Sequence, residues 1–235
     1  MNLLALDTST EYLSLALLKG AETFTFNINA GQTHSQIILP QIKALLNSAD
    51  LQLKDLHGIA FGAGPGSFTG VRIAAGVSQG LGFGINLPVV STCTLLALAE
   101  AANEKILRDT SKVIACLDAR MGEVYHAAYA LIENEWHTVI EPGLYKPEAV
   151  PAIAGDGWVG AGSGWRIYSE KLSAIYNNQL LTVEPTLLPT ASAILKLALP
   201  IFESGNAKPA VEAMPIYIRN RVALKTAERE QGLRL

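Results

Sequence analysis

The segment GAGPGSFTGVRIAAGVSQGLGFG, residues 62–84, predicts a glycine-rich turn followed by a helix of small and apolar residues. Arg72 is the only charged residue between positions 58 and 99. A surface helix normally has one apolar stripe and one charged face, whereas a helix that is apolar all round is covered on every side. One side of this helix can rest on a sheet. We expect a second layer of the chain, or a partner, to cover the opposite side.

Length and charge bound the class of protein. The chain has 235 residues, 49% of them hydrophobic, so it can bury a sizeable core. Its 18 Lys and Arg against 21 Asp and Glu give a net charge of -3, which argues against independent binding to nucleic acid. We favour a solvated basic tail over a nucleic-acid contact, because Glu228 and Glu230 interrupt the basic residues. These residues are Arg219, Arg221, Lys225, Arg229 and Arg234.

The N-terminus and the cysteines indicate the compartment. The first residues, MNLLALDTST, lack the basic region of a signal peptide, and their apolar run is too short to span a membrane. Cys93 and Cys116 lie in apolar runs, where a small buried hydrophobic residue is the better interpretation. We therefore expect a cytoplasmic protein without a membrane contact.

The chain contains two copies of one pattern. In the first copy, apolar residues 3–6 end at Asp7, a polar turn follows, and alternating leucines form a returning strand. In the second copy, residues 113–117 end at Asp118, with a turn near Gly122. Each copy continues into a strand, a glycine-rich turn and a helix, in GIAFGAGPGSFTGVRI and WVGAGSGWRIY. The repeat predicts a duplicated α/β unit in which helices flank a mixed sheet.

The polar segment NEKILRDTSK, residues 103–112, separates the two copies. We expect an N-terminal lobe over residues 1–105, completed by the C-terminal segment 206–235. The smaller C-terminal lobe is expected over residues 106–205. A further helix is predicted at 190–203, which Pro200 ends or kinks.

The glycine-rich turn allows two chemical interpretations. A Walker loop would need a lysine after its last glycine, and a dinucleotide fingerprint would need a further glycine in place of Ser67. The turn is then either an anion site at a helix N-terminus, capped by Ser67 or Thr69, or a tight turn in which glycine lets two backbones meet. Asp7 likewise either faces such a ligand or caps its own turn. The candidate anion- or nucleotide-facing residues are Asp7, Thr8, Ser9, Gly64, Gly66 and Ser67.

The sequence predicts no catalytic residue, no metal site and no cofactor. No two histidines have the i, i+3 or i, i+4 spacing of a helical metal site. The chain contains neither a CxxC pair nor a G-x-S-x-G nucleophile motif. The four histidines are His34, His57, His126 and His137.

Six segments together resemble the TsaB family, the partner subunits in bacterial threonylcarbamoyladenosine biosynthesis on tRNA. They are LALDTST, HSQIILPQI, GPGSFTGVRI, DARMGEVY, the second glycine turn before Trp165, and PIYIRN, and they span residues 4–220. This family is similar to the actin, sugar kinase and Hsp70 superfamily. The resemblance therefore implies an α/β fold of duplicated RNase H-like, or actin-like, lobes with mixed sheets flanked by helices.

The resemblance also implies a function that belongs to a complex. The catalytic relative TsaD carries a metal-binding histidine pair on the helix after the strand equivalent to residues 87–90. The corresponding segment here, STCTLLALAEA, has no histidine and no carboxylate before Glu100. This implies a catalytically silent scaffold that binds TsaD and supports threonylcarbamoyl transfer to the adenosine next to the anticodon. The ATPase TsaE would join the larger complex, and tRNA would be contacted only indirectly.

Two enzyme classes of the same superfamily remain as alternatives. One is a small ATP-binding phosphotransferase that uses Asp7 and the glycine loops. The other is a metallopeptidase, which the scattered histidines oppose.

Two helices are predicted to form the partner surface. We expect them to pack with the equivalent pair of TsaD as a bundle, and the free protein to reuse the same face as a homodimer. The alternative is that the chain itself covers both helices. The expected contact residues are Ile38, Ile42, Leu45, Val71, Ile73, Ala74, Val77 and Leu81.

Overall fold

The computed structural model describes residues 1–106 and 111–218, which form two five-stranded mixed sheets. The first sheet has the order β3-β2-β1-β4-β5, with β1 antiparallel to β2 and parallel to β4. Its strands are β1 (Asn2–Asp7), β2 (Tyr12–Lys19), β3 (Glu22–Asn29), β4 (Gly58–Gly64) and β5 (Val89–Cys93).

The second sheet repeats this topology with the order β8-β7-β6-β9-β10. Strand β6 is antiparallel to β7 and parallel to β9, as β1 is to β2 and β4. The predicted duplicated α/β fold is therefore confirmed. The strands are β6 (Lys112–Arg120), β7 (Glu123–Ile132), β8 (Glu135–Tyr145), β9 (Trp158–Ala161) and β10 (Leu180–Glu184).

Helices cover both faces of the first sheet. α1 (His34–Ser48) and α2 (Phe68–Ile85) pack on one face, and α6 (Ala191–Glu203) packs on the other. α3 (Thr94–Ile106) lies between the two sheets and contributes buried side chains to the core of each. α4 (Ser163–Ile167) and α5 (Ser169–Tyr176) cover the outer face of the second sheet. No helix in the described ranges is long and apolar enough to cross a membrane.

Local chemistry sets both ends of α2. The Ser67 side chain accepts a hydrogen bond from the backbone N–H of Gly70, so Ser67 is the N-cap that the sequence predicted as one of two candidates. At the other end Asn86 adopts a left-handed conformation and donates its backbone N–H to the carbonyl of Gly82. α6 has a similar cap at Thr190, and it continues through Pro200 to Glu203.

The structure corrects one domain boundary. The range 106–205 was expected to form the second lobe, but α6 packs on the first sheet, with Ile194 and Ala198 fully buried there. The described part of the C-terminal segment also lies along the first lobe. There Lys208 pairs with Val89 at the edge of β5, and the backbone N–H of Ile216 donates to the carbonyl of Ala63. The basic cluster and the tail 224–235 lie outside the described residues.

A buried carboxylate joins the two lobes. Glu100 on α3 is 3% exposed, accepts a hydrogen bond of 2.6 Å from the indole of Trp136 on β8, and pairs with Lys196 on α6. A second ion pair links Lys105 of α3 to Glu184 of β10. A buried charge that loses its partners is costly, so this network favours one relative position of the two sheets.

Candidate functional site

The first strand ends in a buried turn. Asp7 is 1% exposed, and its Oδ2 accepts hydrogen bonds from the backbone N–H and the hydroxyl of Ser9. Burial raises the pKa of Asp7 to about 7, which the two Ser9 hydrogen bonds only partly oppose. Among the described residues Oδ1 has no hydrogen-bond partner. The carboxyl group therefore caps its own turn, which is one of the two roles predicted for it.

The glycine loop packs directly on this turn. A Cβ added to Gly62 would lie 1.9 Å from Oδ1 of Asp7, and one added to Gly70 would lie 1.8 Å from the carbonyl oxygen of Thr8. The backbone N–H of Ser67 is also used, because it donates to the carbonyl of Ser9 at 2.7 Å. These contacts support the interpretation of a turn in which glycine lets two backbones meet.

A cleft of about 540 Å³ lies between the two lobes beside this turn. Of the six candidate anion-facing residues, Ser9, Gly66 and Ser67 line it, whereas Asp7, Thr8 and Gly64 do not. Asp7 and Thr8 are buried under the glycine loop, and a Cβ added to Gly64 would lie 2.9 Å from the carbonyl oxygen of Ile216. They are therefore corrected from cleft-facing to buried turn residues.

The second lobe supplies an acid and two arginines to the cleft, which Glu11 of the first lobe also lines. Asp118 ends the predicted second copy of the strand, and its Oδ1 accepts hydrogen bonds from the backbone N–H of Arg120 and the hydroxyl of Tyr168. Arg120 and Arg166 line the same cleft. The repeat in the sequence pointed to Asp118, which Arg120 follows by two residues, but nothing in the sequence placed Arg166 in the same cleft.

The structure buries most of the predicted partner residues inside the chain. Five of the eight are buried within the chain, four of them in the core of the first lobe and one beside the cleft, so they do not form an exposed surface for a partner. Their prediction as contact residues is wrong, because the apolar pattern of each helix marked side chains that are buried inside the chain. These five are Ile38, Ile42, Leu45, Val71 and Ala74. The other three, Ile73, Val77 and Leu81, are half-buried at the edge of the core, so a partner could still contact them.

The exposed face of α2 has a different composition. Gly76, Gly80 and Gly84 are spaced four residues apart, and a Cβ added to any of them would meet no atom within 4 Å. Phe83 is 62% exposed on the same face, and Leu39 of the neighbouring helix α1 is 52% exposed. These residues define the α1/α2 face. The spacing of these glycines, four residues apart in the sequence, could have identified the α1/α2 face. Glycines at this spacing lie on one side of a helix and let another helix approach closely.

A buried histidine lies on the far side of the second sheet. His126 is fully buried, its Nε2 lies 3.0 Å from the hydroxyl of Tyr176, and burial lowers its pKa to about 4. In the described part of the chain, no group of three or more His, Cys, Asp or Glu residues could hold a metal ion.

Comparison with known proteins places the chain. A family model described as TsaD, tRNA N6-adenosine threonylcarbamoyltransferase, matches residues 28–182. The tRNA threonylcarbamoyladenosine biosynthesis protein TsaB of Haemophilus influenzae is 39% identical over 234 residues, with 96% of each chain covered. The TsaB protein of Escherichia coli K12 is 38% identical, with 96% of this chain and 97% of that protein covered. This chain belongs to the TsaB family.

Solved structures agree with membership of the TsaB family. YeaZ from Pseudomonas aeruginosa is 39% identical, and the superposition has a TM-score of 0.83 over 92% of this chain and 99% of that one. A second Pseudomonas aeruginosa structure, described as similar to peptidase YeaZ, is 38% identical with a TM-score of 0.85. The resemblance that the six segments indicated is confirmed.

Proposed function

We propose that this chain is a non-catalytic subunit that binds TsaD and supports threonylcarbamoyl transfer to the adenosine next to the anticodon in tRNA. The observation that carries the proposal is the near full-length similarity to two TsaB proteins named for threonylcarbamoyladenosine biosynthesis. In this proposal the chain acts as part of a protein complex in the cytoplasm. TsaE is its second protein partner, and its contact with tRNA is indirect.

Three features support the non-catalytic part of the proposal. The start of α3, where TsaD would carry its metal-binding histidines, has the sequence TLLALAEAA in this chain. The side chain of Asp7 is buried beneath the glycine loop and does not contact solvent in the cleft. Burial also raises its pKa to about 7, so a large fraction of the carboxyl groups is neutral near neutral pH. A neutral, buried carboxyl group is a poor ligand for a metal ion or for a metal-bound phosphate.

Two features support TsaD as the partner. The TsaD family model matches 155 of the 235 residues, counted from 28 to 182, so the two proteins share a common architecture. Two related chains can pair through equivalent helices as the halves of a homodimer do. The α1/α2 face offers exposed apolar and glycine residues for such pairing, and we propose that the free chain uses the same face to form a homodimer.

A tagged copy of the chain, captured from the cytoplasm of its own bacterium, tests this assignment. We expect TsaD to be retained as the main partner, identified by mass spectrometry, and the purified chain alone to show no ATP hydrolysis. Cells that carry the tag on an unrelated protein serve as the control. Capture without TsaD, together with ATP turnover in the cleft, would instead indicate the phosphotransferase alternative.

A further inference from the structure

Arg72 lies on the exposed side of α2 in the second turn of the helix, one turn before Gly76. Its guanidinium carbon lies 3.3 Å from the ring centroid of Phe68 and 4.8 Å from that of Tyr217. Its Nη1 donates a hydrogen bond of 2.8 Å to the carbonyl of Phe68. Cation–π contacts and a fixed hydrogen bond hold the guanidinium in place, so it loses little conformational freedom when it binds a partner.

The guanidinium of Arg72, held between the rings of Phe68 and Tyr217, lacks an anionic partner within the described chain. Among residues 1–106 and 111–218, no carboxylate forms an ion pair with Arg72. Both aromatic residues are open to solvent, with exposed fractions of 53% for Phe68 and 50% for Tyr217. Arginine beside exposed aromatic rings is the composition that is enriched at the centres of protein interfaces.

The ionic side chains of α1 and α2 have one sign. The sequences of the two helices contain two ionic side chains, Lys43 and Arg72, and both are exposed cations. In a two-fold homodimer the same patch faces itself, so each copy would present only positive charge to the other. Charge complementarity therefore favours an acidic partner, and like charges disfavour a second copy of this chain.

We propose that Arg72, held between Phe68 and Tyr217, receives a carboxylate from the helix pair of the transferase subunit, so that the α1/α2 face prefers an acidic partner to itself. The guanidinium can bind a carboxylate through two parallel hydrogen bonds, which lysine cannot do. This inference rests on the proposed function, because that function supplies the partner helix pair.

An RNA phosphate is the other anion that such a side chain could bind. Phosphate recognition in nucleic acids needs several clustered cations, and α1 and α2 carry only Lys43 and Arg72, beside exposed apolar residues such as Leu39 and Phe83. The composition of the face therefore favours a protein carboxylate.

The test measures the affinity of the purified chain for the purified transferase subunit by calorimetry, at low and at high NaCl. We expect Arg72→Glu to weaken binding by about a hundredfold or more, since it replaces attraction between Arg72 and the carboxylate with repulsion. Arg72→Lys should lower the affinity for the transferase subunit by about tenfold. Lysine keeps the positive charge but cannot form the two parallel hydrogen bonds of the planar guanidinium. Arg72→Leu should remove most of the salt dependence that the wild-type chain shows.

Lys146→Glu is the matched control, because it makes the same change in net charge at an exposed position of the second lobe. It should bind like the wild-type chain, and thermal unfolding should show that every variant is folded. In sedimentation, an equal mixture of wild type and Arg72→Glu should associate more tightly than either protein alone.

Two results separate this inference from the proposed function. If the wild-type chain binds the transferase and Arg72→Glu binds within threefold of it, the role of Arg72 is overturned and the proposed function stands. The same conclusion holds if Arg72→Glu weakens only the binding of tRNA to the assembled complex. If the wild-type chain does not bind the transferase, both proposals fail.

Discussion

A leucine in place of Gly80 should abolish the association of this chain with the transferase subunit and leave its own fold intact. Gly80 is exposed on α2, and a Cβ built there meets no atom within 4 Å. Replacing a mid-helix glycine with leucine should favour the helix by up to about 1 kcal/mol. The leucine side chain would, however, hold a partner helix away from the backbone that glycine lets it approach.

We expect Gly80→Leu to weaken binding to the transferase by at least about a hundredfold, which corresponds to a loss of about 2.7 kcal/mol. Gly80→Ala is the matched control, since one methyl group fills little of the space, and it should bind within about tenfold of the wild-type chain. Calorimetry gives the affinity, and circular dichroism with thermal unfolding gives the state of the fold. Wild-type affinity for Gly80→Leu would place the partner surface elsewhere on the chain.

Glutamate in place of Ala74, six residues earlier on the same helix, should have the opposite effect and damage the fold. Ala74 is fully buried against the first sheet. A carboxylate there has no room and no partner, so we expect the free energy of unfolding to fall by more than about 4 kcal/mol. Chemical denaturation and the soluble yield measure this loss.

Gly76→Glu is the control for that change, because Gly76 lies on the exposed side of α2 only two residues away. It should stay soluble with nearly wild-type stability. An Ala74→Glu protein that unfolds at the same denaturant concentration as Gly76→Glu would show that α2 is rotated relative to this structure.

Much of the fold could be predicted from the repeated pattern in the sequence. The two acid-ended strands, at Asp7 and Asp118, each begin a hairpin, and each hairpin is followed by a glycine turn and a helix. These features are local, and the structure has them where the sequence places them. Three strands were not predicted. β3 and β10 are mostly exposed or half-buried, and Pro142 and Gly143 interrupt the alternation in β8.

The partner surface could not be predicted from the apolar pattern, and the reason is physical. Large aliphatic side chains such as Ile38 and Ile42 lie on the side of α1 that rests on the sheet, since burial there stabilises the fold. The side that we propose for a partner carries the spaced glycines and Arg72. Which face of a helix is outermost depends on tertiary packing, and a helical repeat alone does not specify it.

The contacts between the two lobes also could not be predicted from the sequence. Glu100 looked like the end of an apolar run, and only the structure shows it between Trp136 and Lys196. Those two partners are 36 and 96 residues away along the chain. Local spacing carries no information about contacts of that range.

Reconstituted transfer to tRNA tests the central claim, a required but non-catalytic subunit, most directly. Purified transferase, the ATPase and threonylcarbamoyl adenylate are mixed with unmodified tRNA, with or without this chain, and the modified nucleoside is measured by mass spectrometry. We expect product only when the chain is present, and we expect Asp7→Asn, which keeps the Ser9 hydrogen bonds, to support transfer within a few-fold of wild type. Equal product without the chain would show that the chain is dispensable for transfer, and a loss of several hundredfold with a folded and assembled Asp7→Asn protein would show that Asp7 takes part in the chemistry.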